Sequence, residues 1–175
     1  MSKELLLGCG FRKQKFLSVG KNKNWNNVIR LDINKDCNPD VVWDLENIPL
    51  PFNDNEFDEI HTYEVLEHTG NQGDYLFFFK QFEDFWRILK PNGLLLGSCP
   101  NLTSPWLWGD PSHKRVICQE SLIFLNQKNY SNTTSSPMTD YRSIYKGDFE
   151  LVLSKIDTWH YYFGLKCLKN GDLNV

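Results

Sequence analysis

The chain has 175 residues, a length that suits one domain with one core. Hydrophobic residues make up 41% and aromatic residues 14%, so material for a packed interior is ample. A net charge of −3 does not support a general nucleic-acid binder, which would be strongly basic, though nucleic acid stays open as a partner. The five cysteines (Cys9, Cys37, Cys99, Cys118, Cys167) are odd in number and form no C-x-x-C pair. That argues against a disulfide framework or zinc ribbon and for a reducing compartment. No apolar run approaches the roughly 18–20 residues of a membrane span. The apolar start is interrupted at Gly8, too soon for a signal peptide. The expected protein is cytoplasmic, with no membrane partner.

Short apolar runs bounded by turn residues alternate with helical patterns. ELLL (4–7) predicts the first strand, VIRLD (28–32) the second, DVVW (40–43) the third and FDEIHTY (57–63) the fourth. DYLFFFKQFEDFWRILK (74–90) predicts a long helix. Its Phe78, Phe82, Phe85 and Leu89 recur on one face, Asp74 caps the start, and Pro91-Asn92-Gly93 ends it. LLLGSC (94–99) has the unbroken apolar character of a fully buried strand. A long connection follows, and FELVLSK (149–155) with HYYFGLKCLK (160–169) predicts a terminal antiparallel hairpin. The expected fold is α/β: a mostly parallel, Rossmann-like sheet with helices on both faces. One domain spans 1–175, with a core at 1–99, a lid and substrate segment at 100–148 and the hairpin at 149–169.

In such sheets ligands sit beyond the carboxyl ends of the strands. Gly8–Gly10, Asp32, Asp44, Glu64 and Pro100 all fall at those ends. Gly8 and Gly10 allow a tight turn and close approach of a ligand. Asp32, closing the second strand, can accept from both hydroxyls of a ribose. A nicotinamide fingerprint would carry a third glycine where this chain has Lys13, so that reading is disfavoured. Arg12, Lys13, Lys15, Lys21 and Lys23 form a run without acids, read either as a solvated loop or as a positive lip beside the site.

LLLGCG, VIRLDI, VVWDLENIPLPFNDNEFDEI, YEVLEH and FEDFWRILKPNGLLLGSCPN, in this order, resemble the motifs of a class I S-adenosylmethionine-dependent methyltransferase. More narrowly they resemble the small type 11 methyltransferases of bacteria and their phages. The resemblance implies S-adenosylmethionine as cofactor and S-adenosylhomocysteine as product. By position, Gly8, Cys9 and Gly10 would line the methionine part. Asp32 would hold the ribose and Ile33 would lie against the adenine. Asp44 and Leu45 would meet the adenine edge, and Glu64 and Val65 would lie beside the sulfonium. The polar segment from Gly10 to Val28 departs from the family pattern and implies a short or irregular first helix.

The expected acceptor is an oxygen or nitrogen nucleophile of unidentified type. Amino-directed DNA methyltransferases carry an Asn/Asp-Pro-Pro-aromatic motif where this chain has Tyr63-Glu64-Val65-Leu66, which disfavours that class. In the lid segment Trp106, Trp108 and Asp110 are candidates to bind the acceptor, and His68 and His113 are candidate bases. His61 and His160, in strand-like stretches, are set aside. If EVLEH is helical, Glu64, Glu67 and His68 share one face. With His113 they offer an alternative, a divalent-metal site. That set resembles the metal site of small-RNA 3′-end 2′-O-methyltransferases and of the O-methyltransferases of ubiquinone synthesis. A metal-assisted 2′-O-methyltransferase acting on an RNA end and a non-catalytic cofactor-binding module are the alternative functions. The oligomeric state is open, with a homo-oligomer as one arrangement that would cover the site.

Overall fold

Leu5, Leu6 and Leu7 are all buried, so strand β1 (Lys3–Leu7) is covered on both faces and lies centrally in the sheet. The computed structural model describes residues 2–12, 14–18, 24–132 and 138–169. Six further strands are β2 (Asn27–Asp32), β3 (Val41–Val42), β4 (Phe57–Tyr63), β5 (Leu89–Pro100), β6 (Phe149–Ile156) and β7 (His160–Cys167). Their order is β3-β2-β1-β4-β5-β7-β6. The first five run parallel, and β7 pairs antiparallel with both β5 and β6. The antiparallel strand therefore lies one place in from the edge. No helix among the described residues is long and apolar enough to cross a membrane.

Helix α1 (Tyr75–Ile88) starts where Asp74 accepts a hydrogen bond from Phe77 N at 3.0 Å. Its Phe79, Phe82, Phe85 and Ile88 are buried against Leu5, Leu7, Ile60, Leu95 and Phe163. Pro91-Asn92-Gly93 does not end this helix, which stops at Ile88. The three residues form an enlarged bulge inside β5, where Phe57 pairs with Leu89 but Glu59 pairs with Leu94. Asn92 takes a left-handed φ of 63° there, a conformation that asparagine tolerates.

On the opposite face Leu6, Cys9, Cys37 and Tyr63 pack with Leu17, Trp25 and Val28. The described residues between β1 and β2 form no helix. They are held by polar contacts instead. Lys15 Nζ lies 2.8 Å from Glu4 Oε1 and 2.6 Å from Glu59 Oε2. His61 bonds Glu59 at 2.9 Å and the Tyr63 hydroxyl at 2.7 Å, so this histidine is structural. Lys15 is therefore buried and contributes nothing to a positive lip, while Lys13, Lys21 and Lys23 lie outside the described residues.

Candidate active site

The carboxyl ends of β1 to β5 converge. Gly10, at φ +49°, donates its N–H to Asp32 Oδ2 at 2.7 Å, and Asn34 N–H reaches Oδ1 at 2.8 Å. Both bonds hold the Asp32 carboxylate at the end of β2 and leave each oxygen a lone pair. A cleft of about 410 Å³ opens beside it, lined by Gly8, Asp32, Ile33, Asp44, Leu45 and Val65 among others. Ile33 stands 64% exposed, an apolar surface without a cover. Asp44 Oδ1 accepts from Glu46 N at 2.9 Å, so this side chain shapes a turn as well as the cleft wall. The Cys9 side chain turns the other way: it is buried 3.9 Å from Cys37 Sγ, and burial pushes its thiol up to about 12. Only its backbone can meet a ligand in the turn.

Glu64 adopts φ +56°, unusual for a residue with a Cβ. Ser98 fixes it twice: Glu64 N donates to Ser98 O at 2.9 Å, and Ser98 Oγ donates to Glu64 Oε1 at 2.7 Å. Three cavities share Glu64. The first is the cleft just described. A second, of about 490 Å³, has Arg12, Phe16, Lys155 and Tyr162 in its wall. The Arg12 guanidinium stacks 4.4 Å from the Phe16 ring, and of the basic run it is the described member that borders a cavity.

The third cavity, of about 200 Å³, is bounded by Glu64, Glu67, His68, Trp106, Asp110 and His113 among others. Residues 66–68 form a single 3-10 turn, not a helix extending back to Glu64. The left-handed Glu64 takes that residue out of the register with Glu67 and His68. The His68 and His113 rings meet edge to face, 4.6 Å apart. His113 Nδ1 is 3.0 Å from Leu107 O, and His68 Nδ1 is 3.0 Å from Ser112 Oγ. Glu67 is fully buried, and burial pushes its carboxyl up to about 7.

Trp106 in helix α2 (Trp106–Gly109) borders this cavity, but Trp108 does not, although both are exposed. Three wall or support residues lack an obvious sequence signal. Trp159 and His160 join the wall because β7 runs antiparallel and pairs His160 with Pro100 at the end of β5. The predicted hairpin contained that information. Arg115, buried, donates to Leu66 O at 2.9 Å and Thr69 Oγ1 at 3.0 Å, and so clamps the 66–69 turn from below. Its desolvation lowers the guanidinium to about 10. No spacing pattern marks such an arginine.

The family model described as a methyltransferase domain matches residues 5–97, more than half of the chain. The chain belongs to this methyltransferase family. No curated protein matches the chain. Among solved structures, the fold is similar to a SAM-dependent methyltransferase from Archaeoglobus fulgidus, at 17% identity, TM-score 0.59, covering 94% of this chain and 86% of that one. It is also similar to a SAM-dependent methyltransferase from Methanosarcina mazei, at 13% identity, TM-score 0.50, covering 95% and 92%. The [4+2]-cyclase SpnF is similar too, at 11% identity, TM-score 0.57, covering 95% and 74%. These likenesses concern the fold.

Proposed function

We propose that this methyltransferase moves the methyl group of S-adenosylmethionine to an oxygen or nitrogen nucleophile. The observation that carries the reading is Glu64, shared between the cleft that contains Asp32 and the cavity that contains His68 and His113. Bound in the cleft, S-adenosylmethionine would supply an already activated methyl group and leave as S-adenosylhomocysteine. The free lone pairs of Asp32 accept from the ribose hydroxyls, and Ile33 and Leu45 cover the adenine. Gly10 leaves its turn open to the methionine part. Held at a left-handed angle, Glu64 borders both compartments, which puts the donor and the acceptor on either side of one residue. Alignment of this kind supplies several kcal/mol of the roughly 7–11 available from positioning. Trp106 offers a face for an aromatic or sugar acceptor, and while no ion occupies their Nε2 atoms His68 or His113 would take its proton.

Calorimetry should give micromolar S-adenosylhomocysteine binding, with a matching rise in melting temperature and no response to NADH. A labelled-methyl transfer screen over lysate fractions then identifies the acceptor class. A response to NADH alone would overturn the cofactor assignment. Tight S-adenosylhomocysteine binding with no labelled acceptor would instead favour a non-catalytic binding module.

A further inference from the structure

We propose that Glu67, His68 and His113 bind one divalent transition-metal ion, with its open positions facing the cavity where the acceptor sits. One ligand atom from each residue lies within 4.8 Å of the others, close enough to share an ion. The donor set is two imidazoles and one carboxylate, which suits Mn²⁺, Fe²⁺ or Zn²⁺.

Two independent observations prepare these groups for an ion. The first is the protonation of the rings. Leu107 O can only accept, so His113 Nδ1 carries the proton in the 3.0 Å bond. Ser112 Oγ gives its own hydrogen to Asp110 Oδ1 at 2.5 Å, so it accepts from His68 Nδ1 at 3.0 Å. Both rings therefore keep a bare lone pair on Nε2, the arrangement that outer-shell partners impose on metal-binding histidines. The second observation is Glu67. The residue is 0% exposed, and among the described residues neither carboxylate oxygen has a hydrogen-bond partner. The Cys99 thiol beside it is only a weak donor. A buried carboxylate without a partner is costly, and an ion would supply the missing one. Glu64 does not belong to the set, because at its left-handed turn no ligand atom of it lies within 4.8 Å of all three others.

Trp106 and Asp110 border the same cavity, so a ligand entering there meets the open side of the ion. This favours an oxygen-donor acceptor such as a hydroxyl, an assignment that rests on the methyl-transfer reading; the ion site itself does not. Ligation commits both Nε2 lone pairs. An ion held there would raise the acidity of an acceptor hydroxyl, whose proton would pass to solvent water.

The test is a titration of the full chain with Mn²⁺, followed by calorimetry and by loss of the free-ion paramagnetic resonance signal. One saturable site is expected. Glu67→Gln and His113→Ala should each weaken it at least about tenfold. S-adenosylhomocysteine binding retained by the isosteric Glu67→Gln shows that the variant is folded; if that variant fails to fold, His113→Ala decides. No saturable site in the wild type, or affinity unchanged in the folded variant, overturns the ion. Mn²⁺ binding without S-adenosylhomocysteine binding overturns the methyl-transfer reading and leaves the ion site standing.

Discussion

Val65 fills the space that a Cβ on Gly8 would need. An ideal Cβ there would lie 2.5 Å from Val65 Cγ2, and Gly8 has φ +56°. Gly10 is also left-handed, at +49°, but among the described residues a Cβ on it would meet nothing within 4 Å. The two glycines of one turn thus serve different ends: Gly8 lets β1 and the segment after β4 pack, and Gly10 keeps an open approach. Gly8→Ala should cost about 1–2 kcal/mol for the backbone and about 1–3 more for overpacking. Gly10→Ala should cost only the backbone part yet weaken S-adenosylhomocysteine binding. Chemical denaturation of both variants measures the difference. Adding Val65→Ala should restore part of the Gly8→Ala loss, and equal stabilities of the two glycine variants would remove the packing argument.

Asp32 connects the turn to the ligand. Its two bonds, to Gly10 N and Asn34 N, fix the carboxylate before anything binds. Asp32→Ala deletes these bonds together with the ribose acceptor. S-adenosylhomocysteine affinity should fall at least tenfold, and stability by about 1–2 kcal/mol. Asp32→Asn keeps one acceptor oxygen and should lie between. Calorimetry beside a urea melt separates the two effects; unchanged affinity in Asp32→Ala would place the ribose elsewhere.

Three strand ends are legible because the run stops at a glycine or a carboxylate: Gly8 after β1, Asp32 in β2 and Glu64 after β4. The ends of β3 and β5, at Val42 and Pro100, carry no such mark. What one strand does to its neighbour was not legible. Lys15 reads as part of a basic run, yet its ammonium is folded inward between Glu4 and Glu59, carboxylates from β1 and β4. Pro91-Asn92-Gly93 reads as a turn after a helix, yet it is accommodated as a bulge because β5 resumes pairing with β4 at Leu94. EVLEH reads as a helical face, and the strained backbone of Glu64 breaks that face. In each case a contact distant in sequence outweighs a local pattern.

The Lys15 network makes the fold sensitive to acid. Its hydrogen bond from His61 and the ion pair with Lys15 hold the Glu59 carboxyl down at about 2, against an ordinary 4.5. A depressed carboxyl contributes stability above its unfolded pKa and loses it as pH falls through the folded one. Burial lowers His61 below its ordinary 6.5, so folding favours the neutral ring and acid opposes it from about that pH downward. Both signs agree. Stability should decline from about pH 6.5 and steepen between 4.5 and 2. Lys15→Met removes the ammonium between the two carboxylates, leaves them only neutral donors such as His61 and Asn26, and should cost about 3–5 kcal/mol at neutral pH. That variant should gain relative stability on acidification, as the carboxylates protonate. Urea melts across this range test both claims, and a flat difference between wild type and variant would mean that Lys15 does not set the carboxyl.

Trp106 and Trp108 form an internal comparison. They are two residues apart in the short α2, with exposures of 63% and 66%, so truncating either removes a similar indole from a similar environment. Only Trp106 borders the cavity with His68 and His113. If the acceptor enters there, Trp106→Ala loses a stacking surface worth about 0.5–1.5 kcal/mol, or roughly 2–13-fold in acceptor KM or kcat/KM. Trp108→Ala should leave both within twofold. Because neither ring is buried, the stability of each variant should stay within about 0.5 kcal/mol of wild type. S-adenosylhomocysteine affinity should be unaltered in both, since neither borders the cleft with Asp32. Steady-state kinetics with the acceptor found by labelling make the measurement. Equal losses from the two tryptophans would mean that the acceptor lies across the outside of α2 and does not enter the cavity; a loss from Trp108 alone would move the acceptor to the far side of that helix, away from both histidines.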